Sequence, residues 1–151
     1  MSTSAHDQLL SQCLKPDGAA VVRVDALSTE EINHLVTSLA GHNIQTRQID
    51  ASRLKSKADV LRELASAFAF PSYFGHNWDA LIDCWSDLSW MPPAHGWVCI
   101  LHGADALRAA DEASHDMLLS IAQDVADRWR NHDAKAVFKL LRVAAAASPG
   151  R

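Results

Sequence analysis

Three aspartates, Asp79, Asp83 and Asp87, recur every four residues within the stretch from Phe70 to Trp90. A spacing of four brings side chains onto one face of an α-helix, so these carboxylates are predicted to form a single acidic stripe. Such a stripe can bind a cationic partner, hold a divalent ion, or divide acid and base roles between two carboxylates. Each of these chemistries requires a helix that presents the stripe to solvent.

The acidic stripe has no cation close to it in the sequence, since no Lys or Arg occurs between Arg62 and Arg108. Like charges four residues apart disfavour a helix by roughly 0.2–0.5 kcal/mol per pair, and Asp87 lies where the helix dipole prefers a cation. A surface kept for a cationic partner would explain this pattern. A run of acids is more often a solvated face that serves solubility, and the charges alone leave both interpretations open.

The same stretch carries the signals that position this helix. Asn77 is a predicted N-cap because its side-chain oxygen can accept a hydrogen bond from the next turn, and Gly75 allows the chain to bend before it. The helix is predicted to begin near Trp78 and to bury the apolar residues that recur at spacings of three and four. These residues are Trp78, Leu81, Ile82, Trp85 and Leu88. Tyr73 and Phe74, in the preceding loop, are expected to be exposed.

Length, composition and charge indicate one globular domain. The chain has 151 residues, of which 48% are hydrophobic and 21% charged, as is usual for a domain with its own core. The net charge of −4 and the lack of a basic patch argue against direct binding to nucleic acid. The N-terminus lacks the pattern of a secretory signal, and no segment approaches ~18 continuous apolar residues. We therefore expect a soluble, cytoplasmic protein without membrane contact.

The cysteines and histidines give no sign of a disulfide framework or a metal site. Cys13, Cys84 and Cys99 are odd in number and far apart, and the last two fall in apolar positions where small buried hydrophobes are expected. No two of the eight histidines have the i,i+4 spacing of a helical metal pair. We expect neither a metal nor another cofactor.

Strand and helix patterns alternate along the chain. Strands are predicted over residues 19–26, 44–49, 97–101 and 136–143. Helices are predicted over residues 28–41, 57–68, 78–88 and 114–130, with Ser28 and Glu31 forming a capping box. Strands separated by helices, without hairpin signals, indicate a single α/β domain with a small parallel β-sheet covered by helices.

The predicted elements divide the chain into four segments. Residues 1–18 are predicted to be a flexible leader, and residues 144–151 a flexible tail. Residues 19–43 form a strand and a helix that extend the core at residues 44–143 within the same domain. We see no repeat, low-complexity linker or second domain in the sequence.

The run YFGHNWDALIDC, which starts at Tyr73 and ends at Cys84, resembles the signature of the barstar family, intracellular protein inhibitors of barnase-type ribonucleases. The likeness is close over residues 63–90 and extends to the order of elements over residues 44–143. Residues 1–43 resemble the additional strand and helix of longer bacterial members. The resemblance implies three barstar-like strands, with one extra strand at the N-terminus.

The resemblance also implies a function and a site. The loop and the acidic helix would plug the active site of a barnase-type or other basic ribonuclease, and the protein would not be an enzyme. Asp83 would enter the phosphate site and pair with catalytic Arg and His groups, Asp79 would meet neighbouring arginines, and Asp124 would be a peripheral acidic contact. The implied partner-binding residues are Tyr73, Phe74, Gly75, His76, Asn77, Trp78, Asp79, Ile82, Asp83 and Asp124. An array of carboxylates suits a cleft that must be positive to bind RNA.

The chain departs from the family pattern at several positions. Trp78 and Ile82 differ in size from the prototype's residues, His76 replaces an acid, and Arg128 lies where the late helix can carry a further acid. These differences leave open which ribonuclease is the partner and whether it is endogenous or a delivered toxin; the oligomeric state is open too. Two other functions remain: a metal-dependent enzyme using the Asp79 and Asp83 carboxylates, and a general binding module for another cationic protein.

Overall fold

A computed structural model describes residues 4–146 of the chain. Four strands form one sheet: β1 (Val21–Val24), β2 (Ile44–Asp50), β3 (Gly96–His102) and β4 (Val137–Val143). All neighbouring strands run parallel, in the order β1-β4-β3-β2. Every residue of β3 and β4 is buried, because these largely apolar strands hold the middle of the sheet and are covered on both faces.

Helices cover both faces of the sheet. Within residues 4–146 they are α1 (Ala5–Leu14), α2 (Thr29–Gly41), α3 (Lys57–Ala67), α4 (Trp78–Asp87), α5 (Ala104–Ala110) and α6 (Glu112–His132), with a 3-10 turn at Ala51–Arg53. The buried side chains form two clusters, one on each face. α1 and α2 pack against one face, and α3 to α6 pack against the other. The acidic stripe on α4 therefore lies on the opposite side of the sheet from the N-terminal helices.

The predicted α/β fold with a parallel sheet is confirmed. Each predicted strand is present, and the extra N-terminal strand β1 lies at an edge, where Val21 is opposite Leu140 of β4. The sequence analysis missed α5, because its seven residues are too few to show a clear helical period. The order of α2, α3, α4 and α6 agrees with the prediction.

The prediction of a flexible leader over residues 1–18 is wrong for the part that forms α1. Ser4 caps this helix, since its side-chain oxygen accepts a hydrogen bond from the backbone N–H of Asp7. Leu9 and Cys13, four residues apart, are both buried in the cluster that α1 shares with α2 and the sheet. A short helix is marginal alone and becomes stable when its apolar face docks on a core.

The segment between α1 and β1 is also tied to the sheet. Lys139 of β4 donates hydrogen bonds from Nζ to the carbonyl oxygens of Asp17 at 3.0 Å and Ala19 at 2.9 Å. Burial lowers the pKa of the Lys139 amino group. Residues 1–3 and most of the predicted tail at 144–151 lie outside the described residues, and the division of the chain into four segments stays a prediction.

Helix starts follow the signals read in the sequence. Ser28 and Glu31 form the expected capping box: the Ser28 hydroxyl accepts from the Glu31 N–H at 3.1 Å, and the Glu31 carboxylate accepts from the Ser28 N–H at 2.9 Å. These hydrogen bonds hold the pKa of Glu31 below its usual value. The Ser56 hydroxyl accepts from the Asp59 N–H at 3.2 Å and caps α3 in the same way. Such contacts join residues only a few positions apart, so they can be predicted from the sequence without knowledge of the fold.

Gly96 provides a test of the close approach between β3 and β4. A Cβ atom added to Gly96 would lie 2.5 Å from the carbonyl oxygen of Val137, so the strands would have to separate. We expect Gly96→Ala to lower the free energy of unfolding by about 1–3 kcal/mol in urea denaturation. Gly41→Ala is the control, because no heavy atom lies within 4 Å of its added Cβ. Equal stability of the two variants would contradict the assigned packing.

Candidate functional site

Local hydrogen bonds define both ends of the helix that carries the acidic stripe. α4 begins at Trp78, as the sequence predicts. The Asn77 side-chain oxygen accepts from the backbone N–H of Ala80 at 2.8 Å, and its side-chain amide donates to the carbonyl of Gly75 at 3.3 Å. Leu88 ends the helix in the left-handed conformation, with φ of 52°. The stripe therefore sits on a helix with a fixed start and a fixed end.

The apolar side of α4 docks this helix on the sheet. Leu81 and Trp85 are fully buried. The ring of Trp85 meets those of Phe68 and Phe138 edge-on, with centroid separations of 5.8 and 4.9 Å, a favourable geometry for aromatic pairs. This packing fixes the rotation of α4 about its axis and turns the opposite face to solvent.

All three carboxylates of the acidic stripe are exposed. No cation lies close to them in the sequence, but the fold brings Arg128 on α6 next to the central one, Asp83. The Arg128 Nη1 and Asp83 Oδ1 atoms are 3.4 Å apart. Asp79 and Asp87 form no salt bridge with any residue in the range 4–146. Because the two paired residues are 45 positions apart in the chain, no local sequence signal could reveal their contact.

The loop before α4, residues 70–77, places its two predicted contact aromatics differently. Tyr73 is 71% exposed, as expected. The expectation of an exposed Phe74 is wrong, since this residue is only 6% exposed and its ring centroid lies 4.9 Å from that of Phe70. The backbone N–H of Phe74 donates to the carbonyl of Pro71 at 3.0 Å, and the Phe74 ring packs into the core cluster between the sheet and α3 to α6. Phe74 therefore supports the loop, while Tyr73 is free to contact another molecule.

The remaining predicted site residues differ in exposure. Gly75, His76, Asn77 and Asp124 are exposed, and Trp78 and Ile82 are half-buried. Lys57, at the start of α3, places its Nζ 5.5 Å from the ring centre of Trp78, within the range of a cation–π interaction. Asp124 lies four residues before Arg128 on α6, so the two side chains share one helix face. The sequence analysis did not identify Lys57 as a neighbour of the site.

A groove separates the C-terminal halves of α4 and α6. The two helices are joined by a hydrogen bond from the Trp129 ring N–H to the Trp85 carbonyl, at 3.1 Å. The groove is lined by Asp83, Ser86, Asp87, Ser89, Arg128, Trp129 and His132. It therefore presents groups of both charge signs next to the acidic stripe. Helical periodicity places Trp129 on the inner side of α6 but does not show which residue of α4 it meets.

Cys84 on α4 and Cys99 on β3 are buried small residues, as predicted. Burial raises the pKa of the Cys84 thiol, and the nearby Asp83 and Asp87 raise it further. Burial raises the pKa of Cys99 to about 12. Both thiols are therefore protonated at neutral pH, so α4 presents carboxylates and no thiolate nucleophile.

Residues 4–146 contain no group of three or more His, Cys, Asp or Glu side chains arranged to hold a metal ion. No helix within that range combines the length and the apolar character needed to cross a membrane.

The chain matches the model of a known protein family. A family model described as Barstar (barnase inhibitor) matches residues 44–141 of the 151-residue chain. The matched region starts at β2 and ends within β4, so it includes the 70–77 loop, the acidic stripe and the groove. α1, β1 and α2 lie before it. A search of curated proteins found no match to the chain.

The cap on α4 can be tested by replacing Asn77. We expect Asn77→Ala to lower the free energy of unfolding by about 1 kcal/mol, because the backbone N–H of Ala80 loses its acceptor. Asn77→Asp keeps a side-chain oxygen at this position and is expected to retain most of the stability. Both values come from urea denaturation. An Asn77→Ala variant as stable as the Asp variant would show that the cap contributes nothing.

Proposed function

The chain belongs to the barstar family, and we propose that it is a non-catalytic inhibitor of a basic ribonuclease. In this proposal the 70–77 loop and α4 plug the active site of the enzyme. The observation that carries the proposal is the outward position of Asp79 and Asp83 on a helix whose other face is buried in the core. A carboxylate array held in this way can imitate the phosphates of the substrate.

The two central carboxylates have different roles in the proposed complex. Asp83 enters the phosphate site and pairs with the catalytic Arg and His groups of the enzyme. Asp79, one turn earlier on the same face, meets the arginines beside that site. The fixed rotation of α4 supports these roles, since carboxylates that are already oriented lose little freedom when they bind.

The residues around the stripe would form the rim of the interface. Tyr73 supplies an exposed aromatic ring, while Trp78 and Ile82 supply half-buried apolar surface. The rest of the proposed loop contact is formed by Gly75, His76 and Asn77. Asp124 on α6 adds a peripheral acidic contact. Phe74 belongs to this site through its support of the loop, because its own ring is buried.

Charge should govern how the two proteins meet. A ribonuclease cleft must be positive to bind RNA, so the exposed carboxylates would attract it over a distance and speed association. Salt screens such attraction, with a Debye length of about 10 Å at 0.1 M.

An inhibitor that protects cellular RNA acts in the cytoplasm, as an antitoxin or immunity protein does. The family description favours this inhibitor over a metal-dependent enzyme.

The central test is a titration of RNA cleavage by a barnase-type ribonuclease with wild type, Asp83→Ala and Asp83→Asn at low and physiological salt. We expect stoichiometric inhibition by wild type, weaker at higher salt, and a loss of at least tenfold in affinity for both variants. The fold should remain intact, since substitutions of exposed residues usually change stability by less than about 0.5 kcal/mol. Thermal unfolding checks that point.

Glu30→Gln is the matched control for the central test. It removes one exposed negative charge from α2, on the other side of the sheet from the acidic stripe. We expect this variant to inhibit like wild type. If Asp83→Ala inhibits as well as Glu30→Gln, Asp83 is not at the centre of the interface.

The neighbouring aromatics of the loop allow binding and folding to be separated. Tyr73→Ala removes an exposed ring and should weaken inhibition at unchanged stability. Phe74→Ala removes a buried ring and should lower the free energy of unfolding by about 3–5 kcal/mol. Inhibition assays and urea denaturation on both variants measure the two effects. A Tyr73→Ala variant that inhibits like wild type would remove Tyr73 from the proposed interface.

A further inference from the structure

Arg128 on α6 contacts the acidic stripe at its central residue. Its Nη1 atom lies 3.4 Å from Oδ1 of Asp83, and the side chains are 55% and 75% exposed, respectively. Among residues 4–146, this is the only salt bridge that involves one of the three carboxylates of the stripe. The carboxylate proposed to be central in the complex is therefore the one that already has a cation in the free protein.

The position of Arg128 is set by the neighbouring residue in the chain. Trp129 donates its ring N–H to the carbonyl of Trp85 at 3.1 Å, and Trp85 is fully buried. This link fixes α6 against α4 and holds the Arg128 backbone opposite Asp83. Because a guanidinium stays charged at any pH at which proteins are folded, the pairing does not depend on a titration of the arginine.

We propose that Arg128 determines the selectivity of this surface by competing with the partner for Asp83. The inference rests on the proposed function, because it concerns the same carboxylate. A cation of a ribonuclease can pair fully with Asp83 only when the Arg128 guanidinium moves aside. The displaced guanidinium then lies at the edge of the interface, where it repels a uniformly basic rim and attracts a carboxylate.

This arrangement specifies the chemistry of the preferred partner. The enzyme should offer a cation that reaches Asp83 and, next to it, an acidic side chain that receives Arg128. A ribonuclease whose rim is basic throughout binds less tightly, because it provides no group for the displaced guanidinium. Selectivity of this kind comes from a repulsive contact added to an attractive surface.

The test uses Arg128→Ala and Arg128→Glu against a barnase-type ribonuclease with a uniformly basic rim, with inhibition titrated at low and physiological salt. We expect Arg128→Ala to tighten inhibition about two- to fivefold, the range that an exposed ion pair supports. Arg128→Glu should tighten it further, since it adds an attractive charge. Arg108→Ala is the matched control, because Arg108 is 59% exposed and pairs with Glu112 at 3.5 Å on another part of the surface.

A double-mutant cycle shows whether Arg128 acts through Asp83. In an Asp83→Asn background, Arg128→Ala should tighten inhibition less than it does in wild type, because no carboxylate is released and only the repulsion of the basic rim is relieved. In the free protein, NMR signals of the Arg128 guanidinium should show slowed rotation that is lost in Asp83→Asn. Unaltered rotation in that variant would overturn the pairing without reference to any ribonuclease.

The outcomes separate this inference from the proposed function. If wild type inhibits and Arg128→Ala inhibits equally or less well, the competition is refuted and the proposed function stands. The competition is also refuted if Arg108→Ala tightens inhibition as much as Arg128→Ala does. It is refuted as well if Arg128→Ala tightens inhibition by the same factor in the Asp83→Asn background as in wild type. If neither wild type nor Arg128→Ala inhibits, the proposed function fails for this enzyme class, and the inference fails with it.

Discussion

The burial of Trp85 is the interaction on which the acidic surface depends. Its ring packs edge-on against Phe68 and Phe138, and its carbonyl accepts the hydrogen bond from Trp129 that joins α4 to α6. The Trp85 ring N–H has no hydrogen-bond partner among the described residues, so packing holds the ring. Because this one residue fixes the rotation of α4 and its distance from α6, it determines which side chains face outward.

The N-terminal extension is part of the core and not an appendage. α1 and α2 cover the face of the sheet that α3 to α6 leave free, and they bury residues of the two central strands such as Val98, Ile100 and Leu141. β1 adds an edge strand that pairs with β4. The family model matches only residues 44–141, so in this chain the second face of the matched region is covered by residues outside it.

A surface that attracts cations must also discriminate among them. The acidic stripe gives general attraction to basic proteins, since its three carboxylates are exposed. Arg128 adds a charge of the opposite sign beside Asp83, and Lys57 adds another beside Trp78. Each cation weakens the general attraction and makes it depend on what the partner presents at that point. Selectivity then follows from where positive charge is placed within an acidic site.

The sequence by itself determined the α/β class, the parallel sheet, the helix with its acidic face and the caps at Ser28 and Asn77. These features depend on periodicity and on hydrogen bonds between residues at most four positions apart. The tertiary structure alone decided that Phe74 turns inward, that residues 5–14 form a docked helix, and that Arg128 pairs with Asp83. The physical reason is that packing joins residues far apart in the chain, 45 positions for that pair, and no local pattern encodes which distant side chains meet.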